Sequence, residues 1–133
     1  MKELKSFFGF ITILILLSQS SGMAQQLGEK VYWMSTVEVS MSKLQSYYIF
    51  NVNELIPLME EHGYTPIASW QTIVGDIEEV IFVAEFENMT SYHKARRSLL
   101  GSEEYKAASK EYNELAKSIR TRFLSATPYS KLK

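Results

Sequence analysis

The most persistently apolar stretch in the body of the chain runs from Ile67 to Glu87, and its pattern predicts a β-hairpin. Its two apolar runs flank Val74-Gly75-Asp76-Ile77, where glycine and aspartate favour a turn. In the second run every position from Val80 to Phe86 except Glu85 is apolar, so both faces of this strand favour burial. The rest of the chain is too short to cover both faces. We therefore expect a second subunit to cover one of them.

Five further segments carry the periodicity of strands or helices. Alternation over 31–39 and 119–126 predicts strands, and apolar residues at helical spacing predict helices over 44–62, 88–100 and 102–117. Gly63 marks the end of the first helix, Gly101 separates the other two, and Ser102 is expected to cap the last. Pro57 is expected to kink the first helix or split it near Asn53, because proline lacks a backbone N–H donor.

The resulting order is β-α-β-β-α-β, with the second helical region divided in two. This is the order of the α+β ferredoxin-like, or split βαβ, fold, whose four-stranded antiparallel sheet carries helices on one face. We place the first and third strands side by side and parallel, with the fourth antiparallel beside the first. Two such sheets with apolar free faces can close on each other as a dimeric α/β barrel, so we predict a homodimer.

Residues 1–24 have the pattern of a secretory signal peptide. Lys2 and Lys5 precede an apolar run from Phe7 to Leu17, and Gly22-Met23-Ala24 supplies small residues for cleavage. We expect residues 25–133 to form a single exported domain, periplasmic or extracellular, with no stable membrane insertion after cleavage. An uncleaved membrane anchor is the alternative, although the apolar run is short for a bilayer span. The sequence has no cysteine, which excludes lipidation at cysteine and disulfides.

Charge and residue inventory exclude several classes of function. The formal net charge of −1 becomes −2 after cleavage, since the leader carries two lysines and one glutamate, and this balance does not favour nucleic acid. Two histidines without paired spacing predict no metal site, and we expect no cofactor. His93 alone could serve as an axial haem ligand, but a lone helical histidine is more often an ordinary surface residue.

Four charged residues form a candidate polar cluster at one end of the predicted sheet. In the parallel arrangement described above, Glu38, Glu85, Arg120 and Arg122 come together there. They could line the mouth of a cavity. The alternative is a set of cross-strand ion pairs at the sheet edge, which contributes little when exposed.

A second candidate is a pocket built around one helix face. Tyr92, His93 and Arg96 lie on the helix over 88–100, and Tyr64 and Trp70 adjoin it if this helix packs over the sheet. Aromatic rings around an arginine suit a flat, hydrophobic or acidic small molecule. The same stripe is also typical of a core in which arginine extends past its own apolar stem.

Short motifs along the mature chain resemble the NIPSNAP family. They are His-Gly-Tyr at 62–64, Val-Gly-Asp-Ile-Glu-Glu-Val at 74–80, Glu-Phe-Glu-Asn-Met at 85–89, Ala-Arg-Arg at 95–97, Ser-Glu-Glu-Tyr at 102–105 and Arg-Phe-Leu at 122–124. The resemblance covers nearly all of the mature chain. It implies the dimeric α/β-barrel fold.

What the resemblance implies about function is a binding role, because family members act as binding proteins and have no agreed catalytic residues. We therefore expect a small hydrophobic or aromatic ligand, or a protein partner. Neighbouring dimeric α/β-barrel families include cofactor-independent monooxygenases and haem enzymes. A monooxygenase using Tyr64, Trp70, His93 or Arg96 is thus the main alternative, and haem binding through His93 is a further one.

Overall fold

The computed structural model describes residues 30–132, in which four strands and four α-helices follow the predicted order. They are β1 (Val31–Val39), α1 (Leu44–Phe50), α2 (Ile56–Glu61), β2 (Thr65–Gln71), β3 (Glu79–Phe86), α3 (Met89–Gly101), α4 (Glu103–Leu115) and β4 (Ala116–Ser125). The predicted signal peptide lies outside the described residues. Within them, no helix is both long and apolar enough to cross a membrane.

The four strands form one antiparallel sheet in the order β2-β3-β1-β4. Tyr32 lies opposite Glu85 and Glu38 lies opposite Glu79, so β1 and β3 are antiparallel. The prediction of parallel first and third strands is therefore wrong. The helical connection returns β2 parallel to β1, and the tight hairpin that follows reverses the chain again into β3.

The register separates the sheet into two faces. One face, which we call the covered face, carries Trp33, Ser35 and Val37 of β1 and packs against the helices. Phe50 and Val37, both almost fully buried, are the largest of its buried side chains together with Val39. The other face, which we call the open face, is formed by Tyr32, Met34, Thr36 and Glu38 of β1, Ile81 and Val83 of β3, Trp70 of β2, and Arg120, Arg122 and Leu124 of β4.

The first helical region is divided near the predicted position. A 3-10 turn, Met41–Lys43, leads into α1, and a π-helical turn, Asn51–Leu55, joins α1 to α2. The side-chain amide of Asn51 donates to the carbonyl oxygen of Tyr47 at 2.7 Å. Pro57 follows as the second residue of α2, where its missing donor is tolerated because the wider π turn has already broken the regular hydrogen-bond pattern.

Local signals place the remaining helix ends. Asn88 and Ser102 cap α3 and α4, since their side chains accept hydrogen bonds from the backbone N–H groups of Ser91 and Tyr105. Gly63 has a φ of 96°, a left-handed conformation that glycine adopts without strain, and it turns the chain from α2 into β2. The last helix ends two residues before the predicted position 117, so β4 begins at Ala116.

Candidate functional site

A cavity of about 260 Å³ lies between the covered face and the helices. Its floor is formed by Trp33, Ser35 and Val37 of β1 and by Phe82 of β3. Its walls come from the first helical region, from α3 and from α4, and include Tyr47, Asn51, Leu55, Met59, Arg96, Leu99, Tyr105, Ser109 and Tyr112. Every one of these elements contributes at least one apolar or aromatic side chain, so the cavity is an aromatic-walled space with a few polar groups.

The cavity opens toward the β4 edge of the sheet. Four of its lining residues are exposed, Arg96 and Leu100 on α3 and Ile119 and Thr121 on β4, whereas those from β1 and the first helical region are buried or half-buried. Next to this opening, the rings of Tyr92 and Phe123 pack edge to face at 4.6 Å, which fixes α3 against β4. A ligand would therefore enter beside Arg96 and move inward along the sheet.

The buried tyrosines of the cavity are neutral hydrogen-bond donors at physiological pH. Burial raises the pKa of Tyr47 and of Tyr64 to about 12 each, with a smaller opposing effect of the nearby Arg96 on Tyr64. Burial, and then the neighbouring Tyr47 and Tyr105, also raise the pKa of Tyr112. The hydroxyls of Tyr47 and Tyr64 can donate to a ligand oxygen, and none of the three phenols acts as a base near neutral pH.

The hydroxyl of Tyr112 is a buried polar group with no hydrogen-bond partner among the described residues. The ring of Tyr47 lies 6.3 Å from that of Tyr112, and its hydroxyl is near enough to influence the Tyr112 pKa, yet no hydrogen bond of normal geometry joins them. An unpaired buried donor costs free energy. Because surrounding atoms enclose this hydroxyl, Tyr112 contributes its ring and not its hydroxyl to the cavity lining.

The structure brings together two of the five residues predicted for the pocket. Tyr64 and Arg96 line the cavity. Tyr92 lies just behind the wall, packed against Phe86 and Phe123, and its hydroxyl accepts a hydrogen bond of 3.4 Å from Arg96 Nη1.

Trp70 and His93 do not line the cavity, contrary to the prediction. Trp70 is 58% exposed on the open face, because a register shift in β2 between Pro66 and Ala68 places it opposite Ile81. His93 is exposed and is not among the residues that line the cavity, and its ring lies 5.3 Å from that of Tyr92. In the described part of the chain, no group of three or more histidine or acidic side chains is placed to hold a metal ion.

Sequence reasoning missed the tyrosines of α4 and the polar floor of the sheet. Tyr105, Ser109 and Tyr112 follow one another at the i, i+4, i+7 spacing of a single helix face, and that signal was available in the sequence. Tyr47 and Ser35, which carry no motif, are buried and also line the cavity, the first from α1 and the second from the sheet.

The four residues of the predicted polar cluster do not come together. Because β1 and β3 are antiparallel, Glu85 lies opposite Tyr32 at the far end of the sheet from Glu38, where it forms an ion pair of 3.0 Å with Lys30. Arg122 lies opposite Met34 in the middle of β1.

The other two members take part in ion pairs at the opposite end of the sheet. Arg120 pairs with Glu79, and Glu38 accepts a hydrogen bond of 3.2 Å from Ser118 and lies 3.7 Å from Lys117. Lys117 also bonds to Glu78, and this bond lowers the pKa of the carboxylate and raises that of the amine. Charged pairs therefore flank both ends of the open face, and between them lie the apolar side chains and the exposed Arg122 of β4.

The sheet order, the single helical layer and the cavity between them define an α+β protein of the ferredoxin-like class. Among solved structures, the chain is similar to a NIPSNAP family protein of unknown function from Agrobacterium tumefaciens, with a TM-score of 0.74 and 14% identity over 80% of this chain and 96% of that one. A second A. tumefaciens NIPSNAP protein gives a TM-score of 0.74 and 19% identity, covering 79% and 92% of the two chains. These likenesses show the fold.

The chain belongs to the NIPSNAP family, because the family model matches residues 32–131. A Nitrosomonas europaea protein provisionally named an antibiotic biosynthesis monooxygenase shares the fold more distantly, with a TM-score of 0.58, 7% identity and coverage of 77% and 95%. No curated protein matches the sequence. The predicted family and the predicted fold class are thus confirmed.

Proposed function

We propose that this NIPSNAP protein is a homodimeric binding protein whose ligand is a small aromatic molecule held in the cavity. The observation that carries the proposal is the cavity itself, about 260 Å³ between the sheet and the helices. Ligand pockets usually measure roughly 300–1,000 Å³, so this one suits a compact ligand with one or two rings. Its aromatic and aliphatic walls favour an apolar body, and its few hydroxyl and amide groups would orient it.

The cavity favours binding over chemistry of the monooxygenase kind. A cofactor-independent monooxygenase needs a group that takes a proton from its substrate. Tyr47 and Tyr64 keep their protons up to a pKa of about 12, and His93 lies outside the cavity, where it also offers no axial ligand to a haem in that space. The distant likeness to a monooxygenase-like structure supports a shared fold, and function is decided by the site.

Binding in the cavity can be tested by filling it. Ser109→Phe places a ring into the space from α4, and Ala107→Phe, on the exposed side of the same helix, is the matched control. With 2-naphthol as the probe, we expect saturable binding to the wild type and to Ala107→Phe, monitored by naphthol fluorescence. Binding to Ser109→Phe should fall by at least roughly tenfold, since the space is occupied. Equal binding to all three proteins would contradict the proposal.

The open face supports the dimeric part of the proposal. Met34 and Ile81 are half-buried there, and Trp70 is more than half exposed, so an apolar band crosses β1, β3 and β2 between the flanking ion pairs and is bordered on β4 by the exposed Arg122. A band of this kind, bounded by charges, fits a sheet-to-sheet contact with a second copy. A two-fold axis would place the same surface on both sides, as in other symmetric dimers.

Export is the remaining part of the proposal, and it rests on the signal pattern of residues 1–24. In a bacterial host that secretes proteins, we expect the mature protein to begin at Gln25. Intact mass measurement of the purified protein would report this cleavage directly. A protein that keeps its first 24 residues and stays with the membrane fraction would support the alternative of an uncleaved anchor.

A further inference from the structure

The cavity has an unbalanced charge. Among the described residues that line it, Arg96 is the only charged one, and no carboxylate lines the cavity with it. Its guanidinium donates to the Tyr92 hydroxyl at 3.4 Å, and no ion pair joins it to a described acidic residue. An arginine fork has five N–H donors, so most of its donors remain available to a ligand at the opening.

The interior of the cavity is neutral and largely aromatic. Trp33 and Phe82 pack edge to face on its floor, with ring centroids 6.2 Å apart. Tyr64 and Tyr105 pack with the first core cluster, and Tyr112 packs against both core clusters. A ligand held here would thus have an apolar, aromatic body inside and its charge at the opening.

We propose that the cavity binds an aromatic monocarboxylate. The carboxylate pairs with Arg96 at the opening, and the ring lies inside against Trp33 and Phe82. The assignment rests on the proposed binding function and specifies its ligand class. A planar carboxylate matches the guanidinium fork, and a single positive charge suits a single negative one.

The placement of Arg96 also selects against other ligands. A cationic aromatic molecule would meet a positive charge at the opening and no carboxylate in the cavity lining. A di-anion or phosphate monoester would bring more charge than one arginine compensates, and the remaining wall is too apolar to solvate it. A neutral aromatic molecule fits the walls but leaves the guanidinium unused, so it binds more weakly than its acid.

The test compares 4-hydroxybenzoate with its methyl ester, which has the same ring and hydroxyl but no charge. Titration calorimetry on the full-length wild type should give at least roughly tenfold tighter binding of the acid. In Arg96→Gln this preference should disappear, because the acid loses a charged partner whereas the ester loses only a neutral hydrogen bond. Arg97→Gln, the adjacent exposed arginine of α3 that does not line the cavity, should retain the preference. Raising the salt concentration should weaken binding of the acid only.

Two results of these titrations would contradict the proposal at different levels. If the acid and the ester bind equally well and Arg96→Gln has no effect, the carboxylate assignment is wrong although the cavity binds aromatic molecules. If neither probe binds and 2-naphthol also fails, the proposed binding function itself is overturned.

Discussion

Replacing Ile81 with lysine is expected to convert the proposed homodimer to a folded monomer. Ile81 lies in the middle of the open face, opposite Thr36 on β1 and Trp70 on β2. A two-fold interface would bury two such lysines, and burying an unpaired charge costs on the order of several kcal/mol. Light scattering coupled to gel filtration would report the mass, and far-UV circular dichroism would report whether the monomer stays folded.

The matched control is Ile49→Lys. Ile49 is 53% exposed on α1, on the helical side of the molecule, so the same substitution there should leave the dimer intact. A dimeric Ile81→Lys variant would show that the open face is not the interface. A wild-type protein that is monomeric at all accessible concentrations would contradict the dimer proposal. In that case a different protein would have to bind the apolar band.

Between about pH 10 and pH 12, the free energy of unfolding is expected to fall steeply. Tyr47 and Tyr64 are only 4% and 6% exposed, and burial raises their pKa from 10 to about 12 in the folded protein. Below pH 10 both states are neutral and stability is complete. Above pH 10 the unfolded chain ionises first, so stability is lost as the pH rises to about 12. Raising the pKa of a tyrosine from 10 to about 12 corresponds to about 3 kcal/mol of unfolding free energy for each of the two residues.

Chemical denaturation at a series of alkaline pH values would measure this loss. Tyr47→Phe and Tyr64→Phe should each reduce the pH dependence, whereas Tyr129→Phe, at a position 88% exposed, should not. The Lys117–Glu78 and Lys30–Glu85 ion pairs raise the pKa of their lysines, so their contribution to stability is also lost at high pH. That contribution is small, because both pairs are solvent-accessible and screened. An unchanged slope in the tyrosine variants would contradict the buried, neutral state assigned to these phenols.

The cavity and the open face are on opposite sides of the same sheet, and this arrangement separates their roles. Ser35 and Phe82 point into the cavity, while Thr36 and Ile81, their neighbours in sequence, point to the open face. A substitution on one face therefore tests one function with little effect on the other. This independence is why Arg96→Gln and Ile81→Lys can be interpreted separately.

The elements were predictable because their signals are local. Alternation over β1, the Gly75 turn, the Gly63 helix end and the Ser102 cap depend on residues within a few positions of one another, and each appears where expected. Even the break in the first helical region near Asn53 follows from the local effect of Pro57. The order of these elements then restricts the topology to the ferredoxin-like fold.

By itself, then, the sequence determined the elements, their order, the NIPSNAP family and the apolar character of both faces of β3. Only the tertiary structure decided which side chains meet. The antiparallel pairing of β1 with β3 separates Glu85 from Glu38, and the register shift in β2 moves Trp70 to the open face. The physical reason is that a single reversal or one-residue shift in register exchanges ends or faces of a strand without altering its local pattern. Tyr112 of α4 lies beside Tyr47 of α1 through the same long-range packing.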